Sequence, residues 1–545
     1  MSNSYKCIYW VASKEWRFLM TKSLIIHYDN VSFSNDFSEK IKFDLPINEI
    51  LDNYISNKII PKIKDIKPDI IFIRDILSQN AMEFYGLILA HHIRLSEELD
   101  SIRFVPIVIL SDLDGYLLSR LSLNYAGILY SNGIFLGLCR QETKKFYINN
   151  FKKLKKINSI KEDLLGFIHI EKPQDYESNH DITNEWSIYR WNTFIKAQDE
   201  ALIKNEEKIK NILYFKYQKA LYNAKDVQNP YSIDFASELN NFSGKIAYID
   251  DECLKGWGVI LEKLFSKPTI KFNALNIDNN DEKIAEKAIN FIESDIPDIV
   301  VLDFRLSKND QHVEFDNISS IEIIDRIKAI NPGIQIIIFS ATSKSENLKR
   351  LQEKGILGYI KKDSIGDSDT KSNIENFIDL IKQGLENKYL KDIHNLTNEI
   401  NAFKIPQSLD ISPIDNLFNI LDSNAKDKFK IAIILPIYNC FESIVSYYTI
   451  PIDRNKKFKI KEEFGEFNLN NDENGQAIGL KIKAIIKYIL KDENLDQEKY
   501  KDFFEERNNI VHQYERGAKI DIKSSDIINH LILLKELIQK ISKYH

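Results

Sequence analysis

Twice along this chain, short apolar runs of strand length recur at helix-length spacing, and the two series line up with each other. Pro68–Arg74 (PDIIFIR) matches Pro297–Asp303 (PDIVVLD), and Pro106–Ser111 (PIVILS) matches Gln335–Ser340 (QIIIFS). Ala126–Tyr130 (AGILY) is read against Leu357–Lys361 (LGYIK). Continuous apolar runs separated by helical lengths predict buried strands in a parallel sheet, because parallel strands need crossover helices that cover both faces. In such a sheet, ligands bind beyond the carboxyl ends of the strands. What stands at those ends therefore decides what each copy can do.

In the second copy the ends carry chemistry. Asp250 and Asp251 follow Lys245–Ile249, Asp303 ends Pro297–Asp303, Ser340 ends its run, and Lys362 follows Gly358–Lys361. These five positions, in this order, resemble a response-regulator receiver domain, here over residues 244–390. The resemblance implies that Asp303 accepts a phosphoryl group from a sensor histidine kinase or a phosphotransfer protein. It also implies an Mg²⁺ site made of Asp251, Asp303, the Arg305 backbone carbonyl and waters, with Asp250 acting through water. Mg²⁺ suits such a set because it takes few carboxylates and keeps several waters. Lys362 and Ser340 would each bind a phosphoryl oxygen, and Ser340 and Tyr359 would shift afterwards. The demands of phosphoryl transfer are positioning and charge neutralisation, which these groups meet. Two departures from the family stand out: the long acidic segment 304–317, and Ser319-Ser320 where a glycine is usual.

The first copy lacks this chemistry. Arg74 occupies the place of Asp303, Ser131 is read at the place of Lys362, and Ala12-Ser13 are read after the first strand in place of two acids. Arginine neither accepts a phosphoryl group nor binds a cation. Residues 1–150 are therefore expected to form a degenerate receiver-like domain that serves as a docking or dimer surface, and a homodimer is expected.

Between the copies, residues 151–243 read as a helical linker. The aromatic stretch Asn184–Trp191 (NEWSIYRW) opens a run to about Ala224 with apolar residues at helical spacing, and no sustained heptad accompanies it. Past Lys362 the chain turns helical. Candidate helices cover 373–390, 414–421, 425–449 with Pro436 inside, 477–491, 496–514 and 524–543, separated by a polar loop at 453–475. The expected architecture is α/β plus all-α: two flavodoxin-like doubly wound parallel-sheet receiver domains, the helical linker, and a C-terminal helix bundle over 395–545.

Within that bundle, Arg507, Asn508, His512 and Tyr514 form the pattern Arg-x4-His-x-Tyr. It resembles the HEPN family, helical domains that often act as metal-independent ribonucleases. The resemblance implies His512 as proton-transfer group, Arg507 as phosphate-neutralising group, Asn508 as orienting group, and Tyr514 as a modification site. RNA would be the substrate. A five-residue spacing rotates a straight helix by about 140° past one turn, so Arg507 and His512 do not share a face. A site pooled across a dimer would reconcile them. A helical domain that only binds, or a phosphate sink in a defence phosphorelay, are the alternative outputs.

A net charge of −6 gives no global attraction to nucleic acid or acidic membrane. Cys7, Cys139, Cys253 and Cys440 lie far apart, without the paired spacing of a zinc site or a disulfide framework. The longest apolar run, 431–437, is too short to span a bilayer, and the start lacks a signal-peptide core. A cytoplasmic protein without membrane contact is expected, acting in signalling, stress or antiphage defence.

Overall fold

The computed structural model describes residues 21–28, 37–173, 176, 179–223, 234–311, 313–341, 345–366, 369–422, 430–452, 457–467, 469, 477–492, 499–500, 502–505, 508–509 and 523–545. The chain divides into two compact units. One comprises 1–233 with 254–260 and 362–374; the other comprises 234–253, 261–361 and 375–545.

The first unit holds a five-stranded sheet of β1 (Ser23–His27), β2 (Glu39–Lys42), β3 (Ile70–Arg74), β4 (Ile107–Ser111) and β5 (Ile134–Leu138). Every pairing is parallel, in the order β2-β1-β3-β4-β5. Alternation sets its two faces. Leu24, Ile26, Ile71, Ile73, Ile107 and Ile109 enter one core, whereas Ile25, Ile70, Phe72, Val108 and Leu110 enter another. Each such side chain contributes about 1.5–3 kcal/mol when fully buried, so both faces commit the strands to the interior.

One expectation for this sheet falls outside the described residues and another needs correction. Ala12-Ser13 lie outside the described residues, and among the described ones the strand that pairs with β3 on this side is β1, Ser23–His27. Residues 126–130 are not a strand. Leu123–Tyr130 forms 3₁₀ turns, and the fifth strand begins at Ile134. Gly133, at φ +73°, turns the chain into β5, and its carbonyl accepts the Ile107 N–H at 2.9 Å. Ser131 therefore has no counterpart role to Lys362; Cys139 is the residue that follows β5.

The linker region in this unit is three helices, Asn179–Ile195, Glu200–Asn211 and Leu213–Leu221. Trp186, Trp191 and Phe215 are fully buried on them. Asp199 caps the second helix, accepting the Ala201 N–H at 2.8 Å.

The second unit contains β6 (Gly244–Asp250), β7 (Ile270–Asn276), β8 (Ile299–Leu302), β9 (Gln335–Ser340) and β10 (Gly358–Lys361), all parallel, in the order β10-β9-β8-β6-β7. Counted from each sheet's first strand, both orders read 2-1-3-4-5, the flavodoxin-like arrangement. The helices Ile284–Ser294 and Ser319–Ile330 bury Ile289, Ile292, Ile324 and Ile327 against Ile249, Val300, Leu302 and Ile336. Two parallel five-stranded sheets with flanking helices, followed by a helical region, are thus the architecture.

The expected helix 373–390 is two helices, Thr370–Glu386 and Tyr389–Asn401. Tyr389–Asn401 approaches the β8–β9 side of the same unit closely: a Cβ on Gly333 would stand 2.3 Å from the Lys391 backbone nitrogen, so only glycine fits. Asn331 donates to the Lys391 carbonyl (3.1 Å) and to Asn395 Oδ1 (2.9 Å), and Lys391 pairs with Asp298. Beyond it, Lys430–Tyr448, with Pro436 inside, and Ser524–Tyr544 share one core through Phe441, Tyr448, Leu534 and Ile541. The expected polar loop at 453–475 is not all loop: it contains β12 (Phe458–Ile460), which pairs antiparallel with β11 (Thr449–Pro451) just before it. No helix among the described residues is long and apolar enough to cross a membrane.

Candidate functional site at the carboxyl edge of the second sheet

Strand polarity brings the acids to one edge. β6 ends at Asp250, Asp303 directly follows β8, and β9 ends at Ser340. All three are fully buried. Asp250 is spoken for by its own loop: Oδ2 accepts the Tyr248 hydroxyl and Oδ1 accepts the Glu252 N–H, each at 2.6 Å. Burial, and then the adjacent Asp250 carboxylate, hold the Tyr248 phenol well above its ordinary range, so it stays a donor. Asp303 receives the Arg305 N–H on Oδ2 at 2.8 Å, while its own N–H bonds the Ile249 carbonyl at 3.0 Å. Asp251 Oδ2 accepts from Asn279 Nδ2 at 3.3 Å. The Tyr359 hydroxyl lies 3.4 Å from the Ser340 carbonyl.

Both departures from the receiver pattern have local explanations. In the acidic segment, buried Asp310 accepts the Ser307 N–H (3.0 Å), the Ser319 N–H (3.0 Å) and the Ser319 hydroxyl (2.6 Å). It braces the start of the helix Ser319–Ile330. Ser320, fully buried, donates to the Phe304 carbonyl at 2.7 Å, so the hydroxyl that replaces glycine closes the loop after Asp303.

Three carboxylates at one strand edge, two of them fully buried, repel one another and favour a cation. Among the described residues no three His, Cys, Asp or Glu side chains form a ready metal cage. A site of two direct carboxylates, a backbone carbonyl and waters is the kind this donor set fits.

Lys362, fully buried, directly follows β10 and belongs with 363–374 to the first unit. There its Nζ lies 5.4 Å from the Trp257 ring centre, and Trp257 meets Trp191 edge-on at 5.4 Å. Trp191 Nε1 donates to Asp363 Oδ2 (3.1 Å), the Asp363 N–H donates to Ser187 Oγ (2.9 Å), and Arg190 Nε donates to Thr370 Oγ1 (3.2 Å). Asn373 completes the set on Asp363 Oδ1 at 2.9 Å. The aromatic stretch 184–191 is legible as a docking segment, but nothing in it reveals that Ser187 and Trp191 grip Asp363, the residue after Lys362, while Arg190 holds Thr370.

The first sheet carries different groups at the same register. Ile73 pairs with Ile109 two residues before Ser111, just as Leu302 pairs with Ile338 two residues before Ser340, so Arg74 does occupy the Asp303 position. Arg74 bonds Asp112 at 3.2 Å. The next residue, buried Asp75, accepts the Ser111 hydroxyl at 2.5 Å, and burial pushes its carboxyl above the usual range.

Arg507, His512 and Tyr514 lie outside the described residues; Asn508 is exposed on a helical turn.

Residues 23–137 match the family model for the inactive receiver domain. Solved structures similar to this chain include a LuxR-family two-component response regulator from Aurantimonas sp. SI85-9A1 (21% identity, 26% of this chain and 86% of that one, TM-score 0.21). The signal receiver domain of the putative response regulator NarL from Mycobacterium tuberculosis is another (16% identity, 26% and 98%, TM-score 0.19). Full-length FixJ from B. japonicum is a third (14% identity, 37% and 90%, TM-score 0.20). TM-scores this low say nothing about function. No curated protein matches the chain.

Proposed function

We propose that the chain is a cytoplasmic response regulator in which the linker 151–243 joins one inactive receiver, within 1–150, to one working receiver, residues 244–390, and a helical output region, 395–545, follows. The observation that carries this reading is the acid set at the β6 and β8 ends: buried Asp250 and Asp303, with Asp251 between them in the loop. Asp303 takes the phosphoryl group from a phosphohistidine of a sensor kinase or phosphotransfer protein. A carboxylate oxygen attacks phosphorus, the P–N bond breaks, and the imidazole leaves with a proton. Asp251, Asp303 and the Arg305 carbonyl would hold Mg²⁺, with Asp250 acting through water. Mg²⁺ there supplies neutralisation of the phosphoryl oxygens. Ser340 and Lys362 bind the remaining oxygens, and Ser340 with Tyr359 carries the switch.

The grip of Ser187 and Trp191 on Asp363 supports the linker helix as the element that senses Lys362. For the output, the motif of Arg507, Asn508, His512 and Tyr514 favours metal-independent RNA cleavage by a homodimer. A binding domain without catalysis is the reading that applies if cleavage is absent.

Acetyl phosphate with Mg²⁺ should add one phosphoryl group by intact mass, and Asp303→Asn should add none. Persistent labelling of that variant would exclude Asp303 as acceptor.

A further inference from the structure

The chain as a whole is acidic, at −6, yet one stretch of the first unit runs strongly the other way. Residues 140–156 carry Arg140, Lys144, Lys145, Lys152, Lys153, Lys155 and Lys156 against the single acid Glu142, seven cations less one carboxylate, or +6. The stretch is the helix Gln141–Asn149, which begins just after β5, and the 3₁₀ turn Phe151–Lys153 that follows it. Lys144 is half-buried, its Nζ 4.5 Å from the Phe37 ring centre. Hydrogen bonds, led by the Asn158 N–H, hold the Asp163 carboxyl below its ordinary range, with a smaller pull from Lys155. Even with both of these lysines set aside, the excess stands. Arg140, Lys145, Lys152, Lys153 and Lys156 are exposed, and none of the five makes a side-chain hydrogen bond or ion pair with the described residues. Five unpaired cations less Glu142 leave +4.

The inner side of the same helical run is committed to the core. Tyr147, Ile148, Phe151 and Leu154 pack against a cluster that includes Phe72 and Val108, and the Tyr147 hydroxyl donates to the Leu136 carbonyl at 3.0 Å. Lys145, Phe146, Asn149, Lys152 and Lys153 are left exposed on the outer side. Phe146 is 59% exposed, a large aromatic ring set among the cations.

We propose that this surface binds single-stranded RNA, its cations tracking the phosphates and Phe146 stacking on a base. Unpaired surface cations gain from a polyanion because each phosphate they neutralise releases counterions. An exposed ring among them suits unstacked bases, which a duplex does not offer. An acidic membrane fits less well: an interfacial helix buries its apolar face in the lipid, and here that face is already spent on the core. The choice of RNA among polynucleotides rests on the cleavage reading of 395–545; the surface itself does not.

Fluorescence anisotropy of a dye-labelled 2′-O-methyl oligouridine with the full chain tests this. That strand has no 2′-hydroxyl to act in cleavage, so binding is read whether or not residues 395–545 cut RNA. The expected result is a dissociation constant of about 10⁻⁵ M or tighter at low salt, with a log–log salt slope of about −2 to −3.5 for three to five phosphate contacts. Lys145→Gln, Lys152→Gln and Lys153→Gln combined should weaken binding about tenfold or more and flatten the slope by about two. Phe146→Ala should weaken binding several-fold at an unchanged slope, the signature of stacking rather than charge. All four positions are exposed, so the melting temperature should stay that of the parent. No binding, or equal binding by the triple variant, would overturn the proposal. So would capture of the chain by phosphatidylserine vesicles through the same lysines while the oligonucleotide stays unbound. Cutting of unmodified RNA by a chain that does not hold this strand would sink the surface and leave the cleavage reading standing.

Discussion

The two sheets share a strand order and even a register, yet they place opposite chemistry at the same edge. In the second, Asp303 follows β8, buried beside Asp250; in the first, Arg74 ends β3 and pairs with Asp112. The fold therefore follows from the apolar runs, whereas the function rides on a few residues at strand ends. In the first sheet Asp75 instead accepts the Ser111 hydroxyl at 2.5 Å, an internal hydrogen bond at that edge.

The interior of the first receiver offers the largest effect. Arg94, fully buried, donates to the carbonyls of Arg103 (2.5 Å), Val105 (2.8 Å) and Gly133 (2.9 Å), and burial lowers its guanidinium to about 9. Arg94→Ala strands three carbonyls and should cost about 3–5 kcal/mol in urea unfolding of the first unit. A loss under about 1 kcal/mol would mean that water replaces the guanidinium and that this receiver is not held from within.

A comparable effect is expected from pH. Burial lowers His91 from 6.5 to about 4, and burial also lowers its neighbour His92, which meets Asp52 at 2.9 Å. Between these values the unfolded chain takes up a proton that the buried His91 ring does not. Stability of the first unit should therefore be full above pH 6.5 and fall on acidification towards 4, by about 3 kcal/mol for His91 alone. His91→Phe should flatten that slope; an unchanged slope would move the effect to other groups.

Smaller in free energy, but decisive for the output, is His512→Ala. If the helical region cleaves RNA, loss of the proton-transfer group should slow cleavage by about 10²-fold or more, with products ending in 2′,3′-cyclic phosphate and formed in the presence of EDTA. Equal cleavage by parent and variant would leave the binding reading.

Most of the central strands are legible in the sequence. β3, β4, β8 and β9 are continuous apolar runs because both faces are covered. Two of the outer strands are not: β2 reads Glu-Lys-Ile-Lys with only Ile41 buried, and β7 leaves Lys271, Ala274 and Asn276 exposed, since an edge strand is only half committed to the core. β5 is misread because two apolar segments compete, and Gly133, rather than hydrophobicity, selects the second. The strand-end acids are legible because topology alone brings them together. The partners of Asp363 are not, because Trp191 lies 172 residues away in sequence and Ser187 lies 176, and no local pattern encodes a contact at that range.

The contrast between the two edges is tested most directly by locating the acyl phosphate. After treatment of the full chain with acetyl phosphate and Mg²⁺, peptide mapping should find the phosphoryl group on the peptide that contains Asp303 and none on the peptide that contains Arg74 and Asp75. Label on Asp75, or on both peptides, would contradict the assignment of one working and one inactive receiver.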